Sequence, residues 1–345
     1  MLFMLIFVGG CGNQECNCPT DGTNTNQNET VVISDYSELY RQTAQSVVMV
    51  RVQRKSNYAK VATGSGVVVY EDESGAYIYT NAHVLKSYDT DCQIEIIFSN
   101  EKGVVTGSSE IVTKVYKDEY QDVAVLKINK SNKYKVAKLG NSDELSKGNW
   151  VYTIGSPSEK FNYTTSGNIT GINIETPISI ANGALVRNIY VLVFDCPISN
   201  GNSGGALFNS KGELVGITTL KDGDWYGAIP INFFDKVGKY LISNHGVYPV
   251  PYLNITLKSI PELGVSKSKY GISSYVTSGV YVESSSESFI VQGLIIQEIN
   301  GKAVNSSSEF YSELLKYKAG ETVTFKFINK DGLNTTNVNV VLHAW

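Results

Sequence analysis

Histidine is scarce in this chain: three in 345 residues, at positions 83, 245 and 343. Five cysteines and so few histidines cannot supply the paired, regularly spaced ligands of a zinc site, so no metal or other cofactor is expected. Net charge is −4, and no basic face announces a nucleic-acid partner. Charged residues make up only 18% of the chain against 42% apolar, a balance that excludes global disorder. Proline is rare, with eight residues, whereas tyrosine (22) and β-branched residues are abundant, which favours strands over helices. No internal repeat is visible.

The apolar run Leu2–Val8 is too short to span a bilayer, which takes about 20 residues. It suits the core of a signal peptide ending at Gly9-Gly10. Cys11 follows directly, and this arrangement resembles a bacterial lipobox, in which the cysteine is acylated and becomes the N-terminus. A plain secretion signal is the alternative, and either exports the protein. Residues 12–34, rich in Asn, Thr and Gly, cannot bury enough apolar surface to order themselves and read as a flexible linker. The expected location is extracytoplasmic, on the outer face of the cell membrane through lipid on Cys11, or secreted.

Asp35-Tyr36-Ser37-Glu38 has the spacing of a capping box opening a short helix toward Gln45. Short strands separated by turn signals follow: Val47–Val52, Gly66–Val69, Tyr77–Thr80, Ile94–Phe98, Ile111–Tyr116, Val123–Ile128, Trp150–Ile154, Ser166–Ile172, Ile189–Phe194, Gly204–Phe208 and Leu214–Thr219. Such a series predicts a mainly β barrel or sandwich. Phe233–Ser243 has helical periodicity and closes this domain, placed at residues 35–248. After the turn-rich break His245–Pro251, residues 249–345 predict a small β-rich domain with a helix over Ser307–Tyr317.

Acyl transfer to a serine needs a hydroxyl, a base, a carboxylate that orients the base, and donors for the oxyanion. Ser203 sits in Gly201-Asn202-Ser203-Gly204-Gly205, whose glycines let backbone N–H groups approach a ligand closely. His83, in Thr80-Asn81-Ala82-His83-Val84-Leu85, is the only histidine within the first strand series. Imidazole titrates near neutrality and suits general-base work. Asp122 stands directly before the apolar strand Val123–Ile128. Taken singly, each segment is also ordinary turn sequence.

Together, TNAHVL, DVAVLKI and GNSGGAL resemble the three catalytic segments of the trypsin fold in its HtrA/Deg branch. Gly64-Ser65-Gly66-Val67, Val151–Pro157, Thr165–Ile169 and Gly212–Ile217 extend the resemblance over about residues 36–245. It implies two six-stranded β-barrels with His83, Asp122 and Ser203 as the catalytic triad in the cleft between them. It implies Gly201, Asn202 and Ser203 at the oxyanion hole, and a specificity pocket made from Pro197, Ile198, Gly216, Ile217 and Thr218. Asn202 replaces the Asp that digestive relatives pair with a newly cleaved N-terminus, which points to control by loop ordering. Pro197 stands where a trypsin holds a buried Asp, so small or medium aliphatic P1 residues are expected.

Residues 249–345 resemble a PDZ domain of the same family at Gly279–Val282, Ile295–Gly301 and Ala319–Phe325. The loop Tyr252-Leu253-Asn254-Ile255 would receive a peptide C-terminus, although Asn254 stands where the family has Gly. A domain that only packs on the protease is the alternative. The resemblance implies a homotrimeric endopeptidase acting on unfolded or damaged exported proteins. A non-catalytic peptide-binding module is the reading from another class.

Overall fold

The structure is a computed structural model that describes residues 36–157, 160–180, 185–223 and 225–344. The signal segment, Cys11, Cys16, Cys18, the linker 12–34 and Asp35 lie outside the described residues. Helix α1 spans Ser37–Thr43, and its N-cap position falls on Tyr36, whose side chain caps nothing.

The first half contains β1 (Val47–Arg54), β2 (Lys60–Asp72), β3 (Gly75–Thr80), β4 (Cys92–Ser99), β5 (Val105–Ile111), β6 (Lys114–Asp118) and β7 (Val123–Ile128). They form one antiparallel sheet in the order β5-β4-β1-β2-β3-β7-β6, seven strands where the resemblance implied six. The expected single strand Ile111–Tyr116 is the end of β5 and the start of β6. Thr113 breaks it, because its N–H and its hydroxyl both donate to the Lys127 carbonyl. Strand β5 itself, VTGSSEI, has no apolar alternation to announce it, since its side chains are largely exposed.

The second half contains β8 (Trp150–Gly155), β9 (Tyr163–Ile180), β10 (Leu185–Phe194), β11 (Ala206–Asn209), β12 (Leu214–Asp222) and β13 (Trp225–Pro230). These close into a six-stranded barrel, β10-β13-β12-β11-β8-β9. Helix α2 (Ile231–Asn244) follows and ends on His245 in the left-handed region, φ +54°.

Alternation along the strands sorts side chains into separate cores. Val48, Val50, Val68, Ile78, Ile94, Ile96 and Leu126 fill the first half. Val151, Leu192, Phe194, Leu207, Val215 and Ala228 fill the barrel. Their strand neighbours Val47, Val67, Tyr79, Val125, Tyr152, Phe208 and Leu214 point the other way and meet in a third core, joined by Phe234 and Leu241 of α2. Both faces of these strands are therefore buried, which is why they read as nearly continuous apolar runs.

The C-terminal part contains β14 (Pro251–Tyr252), β15 (Ile255–Ser259), α3 (Ile260–Leu263), β16 (Val280–Ser285), β17 (Ile295–Ile299), β18 (Lys302–Ala303), α4 (Ser307–Leu314), β19 (Thr322–Ile328), β20 (Thr335–Val341) and β21 (His343–Ala344). Strands β15-β16-β17-β19-β20 form a sheet with β15 at its edge, and β14 pairs with β21. Phe310 and Leu314 of α4 pack on Val282, Ile296, Phe325 and Phe327 as a core of their own. The described residues from Tyr36 to Ala344 nonetheless pack as one compact unit. Tyr190 stacks on Tyr311 at 5.0 Å, and the Lys236 ammonium lies 2.9, 2.7 and 3.0 Å from the Leu315, Lys316 and Tyr317 carbonyls just beyond α4.

Candidate active site

Pairing of β3 with β7, Thr80 opposite Ala124, brings the end of one strand beside the start of the other. His83 lies on the single 3-10 turn Ala82–Leu85 just past β3, and Asp122 immediately precedes β7. Asp122 adopts φ +56°, a left-handed conformation that Asp tolerates better than most residues. The turn is held from beneath by buried Asp118, whose carboxylate accepts the Tyr120 and Gln121 N–H groups and, from beyond α2, that of Tyr248. Asn81 Nδ2 donates to the Asp122 carbonyl.

The Asp122 carboxylate is 6% exposed and fully engaged. Its Oδ1 accepts the His83 backbone N–H at 2.9 Å, and His83 Nδ1 lies 3.0 and 2.9 Å from Oδ1 and Oδ2. Thr219 Oγ1 donates to Oδ2 at 2.6 Å. These contacts fix the ring and leave its Nε2 edge for chemistry. Burial works against the imidazolium, but the charge and hydrogen bond of Asp122 outweigh it, so the His83 pKa lies above its ordinary value.

Ser203 reaches the same place from the barrel, in the turn before β11. Its Oγ donates to the Thr219 carbonyl at 3.2 Å, and no hydrogen bond joins it to His83 in this resting arrangement. Gly201 and Gly204 adopt φ +101° and +85°, values closed to most side chains. The Asn202, Gly204 and Gly205 N–H groups donate to Ser199, Thr218 and Asn202 carbonyls. Among the described residues no acceptor is paired with the N–H of Gly201 or Ser203. The Gly201 and Ser203 N–H groups are thus left without an acceptor in the turn that carries the serine hydroxyl.

Several expected positions move. Asn202 leaves the donor set, because its N–H is held by Ser199 and its side chain is buried against Gly155. Ile198 is buried in the barrel core and Pro197 is exposed, its carbonyl accepting from Thr165. Gly216 backs onto Ala228 and Leu207, and Ile217 belongs to the core between the halves. Thr218 is buried and donates to the Asn202 carbonyl at 2.6 Å, tying down the nucleophile turn. All three residues are buried. The β12 residue that touches the triad is Thr219, one place further on, and a lone threonine in a strand gave no signal of it.

The C-terminal loop also departs from expectation. The Asn254 N–H donates to Glu287 Oε1 at 2.8 Å, and the Asn254 carbonyl accepts from Ser286. Glu287 is nearly buried, with His343 Nε2 3.5 Å from its other oxygen. The central amide of the Tyr252–Ile255 loop is therefore already matched to a carboxylate from within the chain.

Cys92 and Cys196 are buried free thiols. Burial, and then the charge of Asp195, push the Cys196 thiol up to about 12, which keeps it inert.

Comparison with known proteins points to the same fold and family. Residues 64–217 match the trypsin-like peptidase domain. The serine protease Do-like HtrB of Bacillus subtilis (strain 168) is 31% identical over 293 residues, covering 80% of this chain and 61% of that protein. The serine protease Do-like HtrA of Lactobacillus helveticus is 32% identical over 289 residues, covering 78% and 66%. A probable periplasmic serine endoprotease DegP-like of Halomonas elongata is 30% identical over 295 residues, covering 82% and 56%. The chain thus spans about 60% of the length of the first of these relatives. Among solved structures, the HtrA-type protease AlgW with tripeptide superposes with TM-score 0.62 at 22% identity, over 90% of this chain and 97% of that one. The serine endoprotease from Yersinia pestis gives 0.55 at 25%, over 90% and 98%. With its barrel, its Ser203 turn and its His83–Asp122 pair in place, the chain belongs to the HtrA/Do-like family of trypsin-fold serine proteases.

Proposed function

We propose that this chain is an exported serine endopeptidase that hydrolyses peptide bonds in unfolded or damaged proteins. The observation that carries the reading is that Thr219 joins the parts: its hydroxyl donates to the Asp122 carboxylate that holds His83, and its carbonyl accepts the Ser203 hydroxyl, in a turn whose Gly201 and Ser203 N–H groups have no partner among the described residues. On substrate binding Ser203 Oγ turns from the Thr219 carbonyl toward His83 Nε2, which takes its proton as Oγ attacks the scissile carbonyl. The oxyanion is received by the two N–H groups. His83 then protonates the leaving amine, and water, activated by the same nitrogen, releases the acyl group. Asp122 stays ionised and holds the imidazolium; Thr219 holds Asp122.

The C-terminal sheet is read as a PDZ-like domain whose edge strand β15 receives extended peptide. Export rests on the leader-like segment ahead of Cys11 and on the relative named as periplasmic. Anchoring through lipid on Cys11 and assembly as a homotrimer belong to the same proposal. No helix among the described residues is long and apolar enough to cross a membrane. An aliphatic P1 preference rests on the sequence alone, on the uncharged Pro197 at the position that carries a buried Asp in basic-specific enzymes, since Pro197 is exposed in the structure, and a cleavage profile dominated by Lys and Arg would overturn it.

A fluorophosphonate probe tests the activity. Labelling of the wild type and not of Ser203→Ala, with a fall in turnover on the order of 10⁴ to 10⁶, is expected. Absence of labelling with and without peptide ligands would assign the chain to the non-catalytic binders instead.

A further inference from the structure

Ser65, in β2, is fully buried and uses every polar atom it has. Strand β2 pairs with β3 only from Val67, opposite Tyr79, so at Ser65 that edge of the strand is open to other partners. The nucleophile turn takes the place of a strand there. The Ser65 N–H donates to the Ser203 carbonyl at 2.8 Å, and the Thr80 hydroxyl donates to the Ser65 carbonyl at 2.7 Å. The Ser65 hydroxyl donates to the Gly201 carbonyl at 2.7 Å and accepts the Ser156 N–H, from the end of β8, at 2.8 Å.

Ser65 therefore grips the Gly201 and Ser203 carbonyls, which share their peptide planes with the Asn202 and Gly204 N–H groups, and so it bears on the unpaired Gly201 and Ser203 N–H groups through the φ and ψ angles of those two residues. Gly201 has no side chain to restrict it, and at φ +101° its two peptide planes need an external restraint to hold one orientation. A hydroxyl fixed on its far side by a barrel amide supplies that restraint from the opposite half of the fold. We infer that Ser65 is a positioning residue for the oxyanion donors: its side chain sets the Gly201 turn from the first sheet, so that the donors are ordered before substrate arrives. The inference rests on the triad reading above.

A residue acting this way affects the transition state more than the ground state. Removing one donor outright costs about 10²- to 10³-fold in turnover, and loosening one should cost less. Ser65→Ala is expected to lower kcat by about ten- to a hundredfold with KM within about threefold. Ser65→Cys keeps a weaker donor at nearly the same volume and should fall between. It also carries the test if the alanine variant folds poorly. Affinity for a peptide boronic acid, which places an oxyanion in the hole, should fall in step with kcat, while affinity for a product peptide should not. Thr80→Val removes the other side-chain bond to Ser65 without touching Gly201 and serves as the comparison for lost stability. Equal kcat in wild type, Ser65→Ala and Ser65→Cys after correction for active-site titre, or a loss in Thr80→Val matching that in Ser65→Ala, would overturn the inference. Wild-type protein that neither labels with fluorophosphonate nor cleaves would instead overturn the triad reading on which it rests.

Discussion

Thr219 Oγ1 donates to Asp122 Oδ2 at 2.6 Å, across the boundary between the barrel and the first sheet. The same residue's carbonyl accepts the resting Ser203 hydroxyl. One strand position therefore touches the carboxylate and the nucleophile at once. Thr219→Val should keep the fold and remove the hydroxyl. Turnover is expected to fall about tenfold or more through loss of imidazole alignment, with a stability cost of about 1–3 kcal/mol for the under-bonded buried carboxylate. Steady-state kinetics and thermal melts check this; unchanged kcat would remove Thr219 from the machinery.

The pH profile follows from His83. Its pKa is raised, and the base must be neutral, so kcat/KM should rise with pH through a value above the usual histidine figure of about 6.5. Asp122→Asn removes the charge that raises it, moving the acid limb down while kcat falls about 10⁴-fold. The stability term has the opposite sense. A raised folded-state pKa stabilises fully below the unfolded-state value and fades as pH rises through the folded one. Activity should therefore increase over the range in which the His83–Asp122 contribution to stability declines. An acid limb below pH 6 in the wild type would contradict the shift.

Lys236 of α2 meets three carbonyls following α4. Lys236→Met keeps the aliphatic stem and removes the charge. Burial lowers the Lys236 pKa to about 8, and a partly buried ammonium bonded to three carbonyls contributes about 1–2 kcal/mol net of that cost, so cleavage in the 245–250 connection by an added protease should speed up about five- to thirtyfold. Unchanged cleavage would mean that the Tyr190–Tyr311 stack and the apolar contacts hold the C-terminal sheet without it.

Glu287 holds the Asn254 N–H. If the loop receives a peptide C-terminus, Glu287→Ala should raise affinity for peptides with a free carboxylate by about ten- to a hundredfold, and amidated peptides should gain nothing. Fluorescence anisotropy on the Ser203→Ala background, which prevents cleavage, reads this directly. Equal affinity of wild type and variant would show that the loop's donors are not those a ligand uses.

The strands were legible where burial on two faces left apolar runs, as in Val123–Ile128 and Leu214–Thr219. They were not legible in β5, or in β13, where the residues that make pairs carry no periodic pattern. The candidate site divides in the same way. His83, Asp122 and Ser203 stand in segments that are ordinary one by one, and it is their joint resemblance to the catalytic segments of the HtrA/Deg branch that names them. Their supports are not named in that way. Ser65 and Thr219 are ordinary strand residues whose roles depend on which atoms of a distant turn they face. Asn202 and Ile198 belong to the right segments but point into the interior.

The sequence by itself supplied the groups, a neutral-range base, a carboxylate and a glycine-flanked serine in a chain rich in short strands, because these depend on residue type and near spacing. Only the tertiary structure decided which donors are unpaired, which strand position touches the triad and what already occupies the Asn254 amide. Those depend on strand register and on contacts between residues about 16 to 136 positions apart, which no local pattern encodes.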